Sequence, residues 1–294
     1  MKICSPLNLI LLLLVALAPL QTAVAADMTP TAAPSAKADM TVQAYLLWQR
    51  INEARRNPRQ AMARLGISEQ TAVAALAGEA WLLDQGLPPL AMNDQLQAAA
   101  MGHGHDMVSQ LYYSHVSPAG ATSSARIAAA GYDAAGSGET LAALVFDNYL
   151  DTDTALAALF DNMLRDELSG IAGVGRNIFS TSLTEVGIGF LAESVALLDG
   201  KPYVYLIVAN FAAPVETRYY AVGQIDPGSR LLIRNRIDGL WNEVAVLPGN
   251  SFQFQLSGCG EELFYWNALM PDYVRVASTQ DLDWGRNHAV DLRQ

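Results

Sequence analysis

Disulfide crosslinks are the first thing this sequence cannot supply. The 294-residue chain has two cysteines, Cys4 and Cys259. Cys4 lies in an N-terminal segment expected to be removed, so the mature chain has no pair to oxidise and must rely on an apolar core. Positive charge is also scarce. Lys and Arg number 18 against 29 Asp and Glu, a formal net charge of −11. Such a chain is a poor non-specific partner for nucleic acid or for anionic lipid surfaces. Long apolar runs are absent beyond the N-terminus, which argues against a membrane-spanning segment in the mature protein. Histidine occurs four times, and three of the four fall in MGHGHDMVSQLYYSHVSP at residues 101–118.

The N-terminus carries the exception. Lys2 precedes the apolar run LNLILLLLVALAPL and then the small residues TAVAA. A basic start, a short greasy core and a small-residue exit describe a secretory signal peptide over residues 1–26, cleaved after Ala25 or Ala26. Its removal takes one lysine and no acid, moving the formal charge from −11 to −12. The expected location is extracytoplasmic, periplasmic or secreted. Residues 27–40 (DMTPTAAPSAKADM) read as a flexible lead-in.

The rest is long enough for one large domain or two smaller ones. The spacing of Val42, Tyr45, Trp48 and Ile51 predicts a helix over 41–65, kinked or broken at Asn57-Pro58. A second helix follows Ser68 as N-cap and ends at GLPPL. A third begins at Asn93 or Asp94, with Gln97 completing a capping box with Asp94. Leu96, Ala100, His103, Met107 and Leu111 share one face of it. SHVSPAG is a loop, TSSARIAAAGY a short helix and DTDTALAALFDNMLRDEL another helix. LTEVGIGFLAESVALL and PYVYLIVANFAA then switch to strand character, with DGK at 199–201 turning between them. Helices first and a sheet completed late is an α+β order. Beyond residue 213, RLLIRNRI, LWNEVAVL and SFQFQL read as three strands of a small antiparallel module, residues 214–294. Asp238-Gly239 and Pro248-Gly249-Asn250 supply its turns. Trp241, Phe252, Phe254, Tyr265 and Trp266 read as the core of this module. A domain of residues 41–213 is expected to fold cooperatively without it.

Helix geometry separates the histidines. Residues two apart point about 200° away from each other, so His103 and His105 do not chelate one ion. His103 shares the apolar face and reads as a hydrogen-bonded core histidine, while His105 faces water. His115 lies in the loop, where functional side chains concentrate on a rigid scaffold.

Several segments occur in an order that resembles a known family: INEARRNP, LPPLAMNDQLQAAAMGHGHDM, YSHVSP, ARIAAAGY, GET, GRNIFSTSLTEVGIGF and YVYLIVANFA. Over about residues 42–212 they resemble the CAP superfamily. This is the SCP-like domain of cysteine-rich secretory proteins, antigen 5 and plant pathogenesis-related type 1 proteins, and the likeness is to its disulfide-free bacterial members. The resemblance implies a three-layer α-β-α sandwich, here followed by the small β module. It also implies a cleft with two histidines and two acids, sometimes with a divalent metal. The loop histidine of that set matches His115, and the acid of the family's GEN motif matches Glu139. The second histidine is replaced by Gly175, and the second acid has no clean match, with Asp166 and Glu167 near it in sequence. His115 and Glu139 are therefore at most a weak zinc site, and no cofactor is required. His103, Glu167 and Arg176 complete the candidate cleft.

The other motifs say less. GIAGVG at 170–175 lacks a P-loop lysine. DLDWGRN at 281–287 lacks the bidentate acid of a calcium loop. No G-x-S-x-G nucleophile elbow is present. The leading expectation is an exported, non-catalytic binding protein taking a small apolar or glycan-like ligand at the His115–Glu139 cleft. The competing readings are a metal-assisted or His/Glu hydrolase of protease type, with no firm catalytic residue, and a structural protein that docks to an envelope protein through its β module.

Overall fold

In a computed structural model of the chain the described residues are 42–168, 175–195, 202–235, 239–256, 261–266, 274–278 and 286–292. The expected signal peptide, lead-in, DGK turn, Asp238, Cys259, all but the last residue of GIAGVG and most of DLDWGRN lie outside them.

The predicted first helix is two, α1 (Val42–Arg56) and α2 (Pro58–Arg64). Pro58 opens α2, where its missing N–H leaves no ladder bond unmade. Ser68 caps α3 (Glu69–Ala75) by accepting from the Thr71 amide. That helix stops well short of GLPPL, because Ala77 and Gly78 take positive φ (45° and 93°). A single turn, α4 (Leu82–Gln85), follows and ends at Gly86. An added Cβ at Gly86 would meet the Arg55 and Arg56 carbonyls, so glycine lets this loop lie against the end of α1.

After β1 (Ala91–Met92) comes α5 (Asp94–Gln110). Its cap is Asn93, whose side chain accepts from the Gln95 and Leu96 amides, and not the expected Asp94–Gln97 box. Leu96, Ala100, His103 and Met107 are buried on one face, as the spacing predicted. Leu111 is not with them. It takes the left-handed C-cap conformation (φ 54°), which turns its side chain out of the helical stripe into solvent. Helix α6 (Ser123–Ala129) is capped by Thr122. Helix α7 (Thr152–Leu168) starts where the Asp151 carboxylate accepts from the Thr154 amide.

The largest addition is β2 (Ala134–Phe146), a strand in a stretch to which the sequence reading assigned no element. It pairs antiparallel along almost all of β4 (Tyr203–Pro214), which pairs in turn with β3 (Glu185–Ser194). AAGSGET has little intrinsic strand preference, and the β4 ladder supplies what local propensity does not. The sheet order is β1-β3-β4-β2, with β1 parallel to β3.

Alternation along the strands makes three layers. Val186, Ile188 and Phe190 of β3 and Ile207, Ala209 and Phe211 of β4 pack with α1 and α7 in the main core. Each large side chain so buried contributes roughly 1.5–3 kcal/mol. Leu191, Leu206, Val208 and Ala212 face the other way, against α5 and α6. On that face Gly187 and Gly189 leave room for α5 to lie directly on the sheet. A Cβ at Gly187 would collide with the Leu96–Gln97 backbone, and one at Gly189 would press on Ala100.

Beyond Pro214 the three expected strands are present, as β6 (Arg230–Asn235), β7 (Trp241–Val244) and β8 (Ser251–Gln255). They are joined by β5 (Tyr220–Ile225), β9 (Glu261–Trp266), β10 (Val274–Ser278) and β11 (His288–Leu292). These form two sheets, ordered β10-β9-β6-β7 and β11-β5-β8, with β11 parallel to β5. The Pro248–Asn250 turn is closed by a single antiparallel bridge, Leu247 to Ser251, and carries the chain from one sheet to the other. Phe252 and Tyr265 are buried in this part's core and Phe254 packs against it, whereas Trp241 lies half-buried on the Phe264 ring.

Several contacts join this part to the first. Val222 belongs to the main core. Gln253 makes two hydrogen bonds with the Met92 backbone. Asn287 donates to the Pro89 and Thr184 carbonyls and accepts from the Tyr220 amide. Arg218 binds the fully buried Glu185 carboxylate through two nitrogens, at 2.6 and 3.1 Å.

Candidate functional site

Three elements and one loop meet on the α5 side of the sheet. Glu139 projects from β2, opposite Asn210 of β4 in the ladder. Arg126 reaches in from α6. His103 comes from α5, which approaches closely because Gly104 has no Cβ to strike Leu191. His115 hangs over the group from the loop between α5 and α6.

Glu139 is the hub. Its side chain is 1% exposed. Oε1 accepts from His115 Nδ1 at 2.8 Å, and Oε2 accepts from Arg126 Nη2 at 2.7 Å. The Asn210 amide, oriented so that its oxygen accepts from the Ala100 N–H, is the third donor to the carboxylate, reaching Oε2 at 3.2 Å. The Glu139 carbonyl accepts from Asn177 Nδ2 at 3.1 Å. A buried carboxylate is costly unless paired and hydrogen-bonded, and this one is both. Arg126 also donates to the Ala121 and His115 carbonyls, which ties the loop to α6.

His103 is enclosed. Its Nε2 lies 2.9 Å from the Ser114 carbonyl, which can only accept, so Nε2 carries the proton and Nδ1 is the bare nitrogen. Nδ1 faces the Tyr112 hydroxyl at 3.3 Å, and that hydroxyl donates to Asp106 at 2.5 Å. Burial, and then the Arg126 charge, hold His103 below its ordinary value, outweighing the opposite pull of Glu139. It is a neutral imidazole bracing the loop that carries His115. Burial and the Asp106 hydrogen bond push the Tyr112 phenol up to about 12.

His115 is the outward member. Its side chain is 60% exposed, and with Nδ1 donating to Glu139 its Nε2 is left as an acceptor toward solvent. Tyr113 and Val116, on either side of it in the loop, are exposed large side chains. Partial burial of its ring raises the Tyr113 phenol, and the charges of Asp166 and Glu139 add to the effect.

Two sequence candidates stand elsewhere. Glu167 is buried at the end of α7, accepting from the Asn177, Ile178 and Phe179 amides at 2.9, 2.8 and 3.1 Å. It pins that segment to the helix, and burial raises it to about 7 against those three hydrogen bonds. Arg176 turns away to the Leu76 carbonyl and to Glu79. Neither reaches the cleft, since the segment after α7 sends the Asn177 side chain toward β2 instead. Sequence reading missed Arg126, Asn177, Asn210 and Tyr112. Arg126 had a signal, as the lone charge in an otherwise apolar and small-residue helix. The asparagines had none.

The arrangement does not suit a metal ion. Both Glu139 oxygens are committed to cationic or N–H donors, and the His103 nitrogen nearest to it is committed to Ser114. Among the described residues no group of three or more His, Cys, Asp or Glu side chains is arranged to hold one. The guanidinium of Arg126 supplies the positive charge beside the carboxylate.

Comparison with known proteins bears on the family of the chain. An extracellular protein containing a SCP domain from Bacillus anthracis is 25% identical, with 43% of this chain and 34% of that one covered and a TM-score of 0.29. This chain thus spans about a third of that protein's length. An outer surface protein from Borrelia burgdorferi is 17% identical over 61% of this chain and 98% of its own, with a TM-score of 0.36. No curated protein matches. The cysteine-rich secretory protein (CAP) family profile matches residues 48–194, half of the chain, and spans α5, His115, Arg126, Glu139 and β3, so this protein belongs to the CAP family.

Proposed function

We propose that this is an exported CAP-domain protein that binds a small ligand at the His115–Glu139 cleft without turning it over. The observation that carries the reading is the commitment of Glu139. Its carboxylate is buried and spent on Arg126, His115 and Asn210, so it orients His115 and is not itself free to attack or to take a proton. What the cleft offers outward is one imidazole acceptor, His115 Nε2, beside the exposed Tyr113 and Val116. That combination suits a small apolar ligand that carries a hydroxyl or N–H group, or a glycan-like one with an apolar face. Export rests on the signal-peptide pattern of residues 1–26.

One observation favours a second reading. A histidine held through Nδ1 by a carboxylate, with Nε2 free, is the usual form of a general base. On that reading His115 would activate water for hydrolysis. The two separate on one comparison. Wild type and His115→Ala are incubated with casein and short peptides, and their melting temperatures are read with and without candidate apolar and glycan ligands. The expected result is no His115-dependent hydrolysis and a ligand-induced thermal shift that His115→Ala loses. Hydrolysis seen in wild type and absent in His115→Ala would overturn the binding reading.

A further inference from the structure

A second cleft lies on the other side of the molecule, where the first part meets the β11-β5-β8 sheet. Its volume is about 420 Å³, within the size range of small-ligand pockets. It shares no lining residue with the His115–Glu139 site.

One wall is α1. Gln49, Asn52, Glu53 and Arg56 recur at the three- and four-residue spacing of a single helical face and form a polar stripe along the cleft. The second wall is α4 and the loop before β1, with Trp81 and Gln85. The floor is formed by β5 and the edge strand β11 of the small sheet, with Ser251 of β8. The ladders place Ala289, Val222 and Gln253 in one row across three strands, and Asp291, Gln224 and Ser251 in the next. Val222, Gln224, Ser251, Ala289 and Asp291 all line the cleft.

The walls are held apart by bonds that do not depend on a ligand. Asn287 clamps the sheet to the Pro89 and Thr184 carbonyls, Gln253 grips Met92, and Gln49 donates to the Gly249 carbonyl at 2.9 Å. The cleft is therefore preformed, which lowers the ordering cost of binding.

Its chemistry is specific in kind. Trp81 leaves 43% of its surface exposed at the rim, so part of a flat indole ring is open to a ligand that stacks on it. The Gln85 and Gln224 amides make no side-chain hydrogen bond among the described residues. Each offers a donor and an acceptor side by side. Glu53 and Arg56 pair with each other, so this stretch of wall presents no net charge. A flat apolar ring face, neutral amides with both hydrogen-bond roles and little net charge match a pyranose. Its C–H face stacks on an indole, and its hydroxyls both donate and accept.

We infer that this cleft is a saccharide-binding site, with Trp81 as the stacking platform and Gln85 and Gln224 as hydroxyl readers. The test uses the full chain and soluble oligosaccharides of three linkages: chitotetraose, cellohexaose and maltohexaose. Binding is followed by calorimetry and tryptophan fluorescence. The expected result is saturable binding of at least one, weakened at least tenfold in Trp81→Ala and weakened also in Gln85→Ala, with His115→Ala binding like wild type. Trp81 is exposed, so Trp81→Ala should keep the wild-type melting temperature, and circular dichroism checks this. Absence of binding by all three at millimolar concentration would overturn the assignment. So would binding unchanged in Trp81→Ala. Loss of binding in His115→Ala with Trp81→Ala unaffected would place the sugar in the first cleft instead.

Discussion

His115 Nδ1 lies 2.8 Å from Glu139 Oε1, yet the histidine side chain is 60% exposed and the glutamate 1%. One end of this pair is wet and the other dry. The consequences of removing each end are therefore unequal.

Removing His115 should cost little stability. An ion pair or hydrogen bond with one solvent-exposed partner contributes up to about 1 kcal/mol. Removing Arg126 leaves the buried Glu139 carboxylate without its cation, which costs about 3–5 kcal/mol when a buried pair is broken. Thermal unfolding of His115→Ala and Arg126→Ala should show a small and a large drop in melting temperature respectively. Equal drops would mean that Arg126 is not the counter-ion.

Zinc should bind weakly. Its entry requires Glu139 to release Arg126 or His115, and no group of three ligands is waiting for it among the described residues. Isothermal titration calorimetry should find no stoichiometric submicromolar site. Such a site, lost in His115→Ala, would refute the claim that Arg126 fills the cation's place.

His103 gives a pH dependence with a definite sign. Its folded value is held below the ordinary 6.5, first by burial and then by Arg126. Between the two values the unfolded chain holds the proton and the native chain does not, so its contribution to stability is lost as pH falls below about 6.5. Asp106, Tyr112, Glu139 and Arg126 face it, and Glu167 contributes with opposite sign because it is raised to about 7. The difference between wild type and His103→Gln isolates the term, since Glu167 is common to both. That difference in melting temperature should shrink from pH 7.5 to pH 5.5. A constant difference would show that His103 titrates at its ordinary value.

The glycines of EVGIGF should be intolerant in order. An added methyl at Gly187 runs into the α5 backbone, which has no soft end to yield, while at Gly189 the nearest atoms are at 3.0 Å. Gly187→Ala should destabilise by about 3 kcal/mol or more and Gly189→Ala by less, as overpacking against backbone does. Urea unfolding of the two variants ranks them.

The seam after Pro214 can be tested through Glu185. Arg218→Ala should destabilise the full chain by about 3–5 kcal/mol, since it strands a buried carboxylate. Adding Glu185→Gln should recover part of the loss, because the amide carries no charge to bury. A chain ending at residue 213 lacks Arg218, Val222, Gln253 and Asn287 together and should melt well below the full chain. A truncated chain with the full melting temperature would show that the first part stands alone.

Much was legible locally. Asn57-Pro58 splits the first helix, Ser68 caps the third, and the period-two run in EVGIGF forms a two-faced strand, because each depends on residues within one turn or one pleat. The order of motifs led to His115 and Glu139. Strand β2 was not legible, since AAGSGET is extended only through its long ladder with β4, whose residues lie some seventy positions later.

The sequence by itself determined the capping, the helical and strand periods, the acidic balance and the family. Only the tertiary structure decided that Arg126 and Asn210 finish the Glu139 site, that Glu167 braces a segment away from it, and that α1 and β11 enclose a second cleft. Those facts depend on which side chains from distant segments share a buried volume, and burial makes each polar group's partner decisive in a way that local spacing does not encode.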